Sequence, residues 1–581
     1  MKLKIFAAVT VVSVLALIVF SQVSRKAFEP AEDFPREALV YVQIADLPAL
    51  IKLWNESTLK KKYLESENFR DFKNRHLGLK LASRWEEFNN AAGFPLDLNV
   101  LSNLTANRAA IAIYDIGKLE FVFIAPMNDS IFTATKFVQN QDRFQEQTLE
   151  DGTIVFRTNV EADRGRQKQE LIFTYYKGRF ILATGEKLLA QTLANINGKA
   201  GKNSLSDESA FKALVEKIEP HTATVWVNQT ALNEDYYFKN YWLMSDVADL
   251  KNIRAGVFDF TLEEGQVIEH RKFLLNQALN PTSIELAKAE KSLAFLPVEV
   301  PFYRLQAANK LITNKAFRNT LFRRHETTEK NEPSNHYYRS VDFDDFNGED
   351  YSYLSENFDK SIDEADNEEI ISQPHNYEID FANLLQPANP QTVLTFTEPK
   401  VLPSPLFVDF QHTAIFNLDK PVNFNRELFE SAVSESFLSK TVISAPNVRL
   451  LWETESENDI SWREVSLPML GLKACYAVLG NELIVSNSSE FMRQVRINEK
   501  NPGNAIKSSS FTELSVLNFD QRENAYDRIF SQLARKNAAD DFFTENIKSL
   551  IDSVEKIKRV EVKRSCLRNF LNEQVTISLR N

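Results

Sequence analysis

Past its opening segment the chain alternates between two hydrophobic rhythms, one of period two and one of period 3.6. ALVYVQI (38–44) reads as a strand. The following DLPALIKLWNESTLKKKYL (46–64) reads as a helix, with Asp46 as N-cap and Pro48 in the first turn. RAAIAIYDIGKLEFVFIAPM (108–127) predicts a hairpin turning near Ile116 to Lys118. TIVFRTN, ELIFTYYKG and RFILATG extend this into a meander, and EKLLAQTLANI (186–196) is an amphipathic helix. Adjacent strands joined by short turns imply antiparallel sheet with helices laid on one face, so the predicted class is α+β.

The pattern is written twice. FPREALVYVQIADLPALI from Phe34 recurs as LPVEVPFYRLQAANKLI from Leu296, with Pro35, Glu37 and Tyr41 falling on Pro297, Glu299 and Tyr303. FIAPMNDSIFTATKF matches IFNLDKPVNFNRELF, and YYKGRFILATGEKLLAQTL matches AVLGNELIVSNSSEFMRQV. SAFKAL from Ser209 matches SSFTEL from Ser509, and a closing hairpin at Asn252 to Leu275 matches Arg559 to Leu579. Matches in the same order predict two related halves, 34–278 and 296–581, each an antiparallel sheet with helices on one face.

Before the first half, Lys2 and Lys4 precede an apolar run from Ile5 to Phe20 that continues to Val23. A charged start and an apolar stretch make an export signal within residues 1–26. Two fates remain open. A cut after Ser21 would place Val19 and Ser21 at the small-residue positions, a weak site. Uncut, Ile5 to Val23 is long enough to span a bilayer, so a retained anchor is the favoured expectation.

Charge and composition sharpen this outline. The net charge is −12, which offers no footprint for nucleic acid. Between Glu326 and Ser372 stand fifteen acidic residues against Lys330, Arg339 and Lys360, a balance that equals the charge of the whole chain. That segment has no sustained period and too much like charge to bury, so 326–372 reads as a disordered insert in the second half. Glycine is scarce, 15 in 581 residues, which weakens any reading that needs phosphate-cradling loops. The 43 Phe suit half-buried pleated surfaces and large cores.

No motif of known chemistry is complete in this sequence. GKAGKN at Gly198 has the wrong spacing for a phosphate loop, and HETTE at His325 carries Glu329 where a zinc protease needs its second His. DFDDFNGED lacks two calcium ligands when Gly348 is set at the turn, and no G-x-S-x-G occurs. The seven His (76, 221, 270, 325, 336, 375 and 412) show no metal-like pairing and read as surface or locally hydrogen-bonded residues. No catalytic, cofactor-binding or metal-binding residue is nominated. Of the two cysteines, Cys475 aligns with Phe173 and Cys566 falls near Phe258, which suggests core positions; a Cys475–Cys566 disulfide is the sharper alternative.

The stretch Pro35 to Leu50 and the stretch Asn107 to Ile124 resemble a family of bacterial exported proteins known only as a domain of unknown function. Its members open with Pro-x-[Asp/Glu]-Ala-x-x-Tyr-Val-x-[Ile/Val]-x-Asp-Leu, and Arg36 fills the free second position here. The acidic insert departs from the family. The resemblance implies an envelope location and supplies no activity and no catalytic residues.

The sequence therefore predicts a non-enzymatic structural or binding component of the bacterial envelope. It would sit in the inner membrane as a single-pass protein with its body in the periplasm, or be released there after cleavage. The expected partners are the membrane, through the N-terminal helix, and an envelope protein or lipid, with no cofactor. The alternative is a carrier or chaperone for a hydrophobic ligand. A large apolar pocket would favour the carrier, and a closed core with an exposed apolar patch would favour the interaction protein.

Overall fold

The computed structural model describes residues 30–160, 169–215, 221–235, 252–278, 284–321, 380–400, 409–439, 450–467, 472–495, 511–519 and 557–580, apart from gaps of one or two residues within them. The expected anchor Ile5–Val23 and the acidic insert 326–372 lie outside the described residues. Among the described residues no helix is long and apolar enough to cross a membrane.

Strands are numbered along the chain: β1 Val40–Ile44, β2 Ala109–Asp115, β3 Glu120–Pro126, β4 Gln145–Thr148, β5 Ile154–Val160, β6 Gln169–Tyr176, β7 Arg179–Thr184, β8 Ala223–Val227, β9 Ile253–Glu263 and β10 Gln266–Leu275. The later ones are β11 Phe302–Ala307, β12 Pro390–Lys400, β13 Asp409–Leu418, β14 Glu453–Glu457, β15 Ile460–Leu467, β16 Leu472–Leu479, β17 Glu482–Ser486, β18 Glu513–Asn518, β19 Ile557–Leu567 and β20 Phe570–Leu579. The meander read from the sequence is present as β2, β3, β5, β6 and β7, and the helix Glu186–Ile196 has the expected bounds. Asp46 caps the helix Leu47–Glu56 through a 2.9 Å bond from the Ala49 amide. The expected single helix over 46–64 breaks at Ser57, which turns to extended backbone before Thr58–Glu65 resumes.

The chain divides into two compact units, one of Met1–Ser283, Val401–Val408 and Ser508–Asn581, the other of Ile284–Lys400 and Asp409–Lys507. These differ from halves drawn at 34–278 and 296–581, because β20 pairs with β10 and takes β19 and β18 with it into the first unit.

In the first unit the sheet runs β4–β5–β6–β7–β3–β2–β1–β8–β9–β10–β20–β19–β18, every pairing antiparallel. Its two faces fill two cores. Val122, Ile124, Ile172, Ile181 and Ala183 pack with Leu189 and Leu193 of helix 186–196 and with Phe211 and Leu214 of helix 209–215. The alternate residues Phe121, Phe123, Phe173, Phe180 and Leu182 pack with Leu47, Ile51 and Phe88 from helices 47–56 and 76–92. Helices therefore cover both faces, not one. The reason lies in FVFIA and RFILAT, whose unbroken apolar runs bury both sides of the strand, as central strands of covered sheets do. Phe137 shows where the Phe content goes: its ring lies 5.0 Å from Phe94 and 5.1 Å from both Phe173 and Phe180.

In the second unit the order is β11–β12–β13–β17–β16–β15–β14, again antiparallel. It repeats, strand for strand, the series β1–β2–β3–β7–β6–β5–β4. Phe416 and Val485 face a core with Phe317, Phe381 and Phe429, where Phe317 stacks on Phe416 at 4.5 Å and on Phe381 at 4.6 Å. On the other face Phe396 meets Phe491 of helix 489–494 at 5.1 Å. One aligned pair of segments is not alike: SAFKAL forms the helix Ser209–Val215, whereas SSFTEL runs into β18.

Candidate functional site

Both cysteines are free thiols, Cys475 in the second unit and Cys566 in the first. Cys475 is buried on β16 opposite Glu464, and burial pushes its thiol up to about 12. A thiol held protonated there is inert, a small hydrophobe in a core. Cys566 lies half-buried on β19 opposite Leu571, its thiol also raised by burial. Hairpins β9–β10 and β19–β20 have equal strand lengths, and laying one on the other puts Cys566 at Leu262, not at Phe258. Leu262 is itself exposed, which accounts for the partial exposure of the thiol.

The most chemically suggestive group was not legible in the sequence. Asp259 on β9 is fully buried and accepts from the Thr224 hydroxyl at 2.6 Å, from the His221 amide at 3.2 Å and from His221 Nδ1. Thr224 and Asp259 face each other across β8 and β9, so the register brings them together. The His221 ring is nearly half exposed. A buried carboxylate orienting an imidazole is one part of an acid–base device, but no nucleophile or oxyanion donor joins it among the described contacts. It closes the start of β8. His270 is exposed on β10, and His412 Nδ1 lies 3.1 Å from the Thr397 hydroxyl. The side chains of His76, His325, His336 and His375 lie outside the described residues.

Three further polar clusters are closed on themselves. Glu482 on β17 accepts from Asn417 Nδ2 at 2.6 Å and from the Ser292 hydroxyl at 3.2 Å, and burial raises its carboxyl above the ordinary range. Glu430 takes both forks of Arg463 at 2.9 Å and the Tyr476 hydroxyl at 2.6 Å. Burial pushes the Glu430 carboxyl up, but these donors outweigh it and hold the group below its usual value. Across the last strands of the first unit runs a ladder: Glu269 to Arg271 at 2.7 Å, Arg271 to Glu573 at 3.4 Å, Glu573 to Arg564 at 2.5 Å and Arg564 to Glu513 at 3.2 Å. Among the described residues no group of three or more His, Cys, Asp or Glu is placed to hold a metal ion.

What remains for recognition is surface. On the helices that cover one face of the first sheet, Leu53, Trp54, Leu64 and Leu79 are between 39% and 56% exposed. Lys52 and Lys61 are exposed beside them, and the Lys60 ammonium sits 5.9 Å from the Trp54 ring. Helix 47–56 explains the arrangement. Leu47 and Ile51, four apart, enter the core, which turns Leu53 outward; Trp54, three residues after Ile51, lies on the same side as they do, at the end of the helix, and is 39% exposed.

No family model matches this chain, and no curated protein matches it in sequence. Among solved structures, crystal forms III and IV of the protein TP0453 are similar, each at 9% identity. The matches cover 44% and 42% of this chain and 84% and 79% of that one, with TM-scores of 0.25 and 0.24. At that level of superposition the likeness carries no argument for fold or function.

Proposed function

We propose that this chain is a non-catalytic binding component of the bacterial envelope, held in the inner membrane by Ile5–Val23 with its body in the periplasm. In this reading the fold is a duplication, and the outer face of helices 47–65 meets an anionic lipid surface. The observation that carries the reading is the pairing of filled cores with outward apolar side chains. Among the described residues the aromatic rings of the cores pack on one another at van der Waals distance, while Leu53, Trp54, Leu64 and Leu79 stay in water. That balance favours a surface-binding protein over a carrier of hydrophobic ligands.

Apolar side chains beside lysines suit the boundary between acyl chains and acidic headgroups. The apolar run ends at Val23 and the described fold begins at Pro30, a link of at most about 25 Å when extended. The duplication is supported by the recurrence of one seven-strand pairing order and by the collinear matches in the sequence.

The test places an environment-sensitive fluorophore on Leu53→Cys in the full chain, reconstituted in nanodiscs of neutral or anionic lipid, with labelled wild type as baseline. A blue shift in anionic discs alone, lost in Lys60→Glu/Lys61→Glu, is expected. The same emission in both lipids would overturn the lipid-facing role. Carbonate extraction and intact mass test the anchor separately, and soluble protein starting at Gln22 would refute it.

A further inference from the structure

Strand β10 pairs with β20 through nine opposed residues, from Gln266 against Ser578 to Leu274 against Phe570. Each is the second strand of a hairpin, and the two hairpins match in length, 11 and 10 residues. Aligned end to end, Gln266 corresponds to Phe570, Glu269 to Glu573 and His270 to Gln574. In the observed register His270 stands directly opposite Gln574. A strand that meets its own equivalent, centred on equivalent residues, is related to it by a local two-fold axis, the symmetry of an isologous dimer.

Side-chain chemistry distinguishes the two edges. Around His270, a β10 paired with another β10 in this register sets Arg271 against Glu269 of the second copy, and Glu269 against its Arg271. Both charges find partners, as Arg271 does now with Glu269 and Glu573. A β20 paired with itself sets Glu573 against Val575 twice, so it adds no ion pair between copies and leaves each carboxylate only the Arg564 of its own hairpin. Only the β10 edge is self-complementary.

We propose that the edge of β10 is a homodimerisation surface for a second copy of this chain, and that the C-terminal hairpin β19–β20 occupies it from within. Because the hairpin is tethered, its effective concentration is high and the intramolecular pairing wins in the intact chain. Loss of the β20 side of the contact hands the edge to another molecule, as unpaired edges do. The inference stands on the hairpin register alone and needs neither the lipid-binding reading nor a duplication of the whole fold.

The experiment uses the full chain carrying Glu573→Lys, which sets a like charge against Arg271 and Arg564. Light scattering after size exclusion should show the dimer fraction rising about tenfold over wild type at equal concentration, the effect of ~1.4 kcal/mol taken from the internal pairings of the two chains together. In a Cys566→Ser background, adding His270→Cys should give an interchain disulfide on mild oxidation, because residue 270 faces its own copy across the dyad. Adding Arg271→Glu to Glu573→Lys restores opposite charges between positions 271 and 573 within the chain. Between chains it sets the new carboxylate against Glu269 of the other copy, so this variant should return to monomer. The milder Glu573→Gln serves if Glu573→Lys does not fold, with a smaller rise in dimer. A folded monomer in both single variants, a dimer that fails to cross-link at residue 270, or a charge-restored variant that dimerises equally would each overturn the proposal.

Discussion

Removing the carboxylate of Asp259 tests whether the buried group on β9 is structural in the way its contacts state. In Asp259→Ala three donors lose their acceptor. The Thr224 hydroxyl is 3% exposed and cannot turn to water, so its stranding should cost about 1–3 kcal/mol. The amide and ring of His221 lie near the surface and recover hydration, for a net loss of about 0.5–1.5 kcal/mol each. The total is about 2–6 kcal/mol. Thr224→Val alone leaves Asp259 two donors and should cost about 1 kcal/mol. In the Thr224→Val background no hydroxyl remains to be stranded, so Asp259→Ala should cost about 1–3 kcal/mol less than in wild type. Hydrogen exchange of the β8–β9 segment across a urea series reads these differences locally. A loss under about 1 kcal/mol for Asp259→Ala, or a double-mutant cycle with no coupling, would refute the reasoning, since both follow from burial of the Thr224–Asp259 contact.

Further outcomes follow from the same geometry. Burial raises the Glu482 carboxyl, so its contribution to stability is full below the ordinary carboxylate value and is lost as pH rises through the raised one. Glu482→Gln should therefore gain on wild type from pH 4 to pH 8 in a thermal melt series, and a pH-independent difference would contradict the shift. Native protein treated with iodoacetamide at pH 8 should keep Cys475 unmodified while Cys566 reacts slowly, read by peptide mass spectrometry; rapid Cys475 alkylation would show that its pocket is open. A Cβ at Gly256 would lie 3.0 Å from Phe273 Cδ1, so Gly256→Ala should cost about 1–2 kcal/mol. Phe273→Leu should relieve most of that cost in the double variant, and an unrelieved cost would place the strain elsewhere.

Periodicity alone determined much of this protein. The strands at 40–44, 109–126 and 154–184, the Asp46 cap and the helix Glu186–Ile196 were legible because hairpin turns, capping residues and apolar spacing are local properties of the chain. The absence of any recognisable catalytic motif was legible for the same reason. Tertiary structure decided the rest. FVFIA and the FILA of RFILAT are apolar at every position, so the strand rhythm could not say which face is covered, and both are. Cys475 and Cys566 shared a compartment argument in the sequence, but their immediate neighbours, Glu464 across from one and Leu571 across from the other, came only with the strand register. Asp259 sits 35 residues from Thr224 and 38 from His221, a separation at which only strand register can bring them together. The join of β10 to β20 spans some three hundred residues and gave no signal at all, because backbone hydrogen bonds carry no side-chain signature; its symmetry became visible only once the pairing His270 to Gln574 was known.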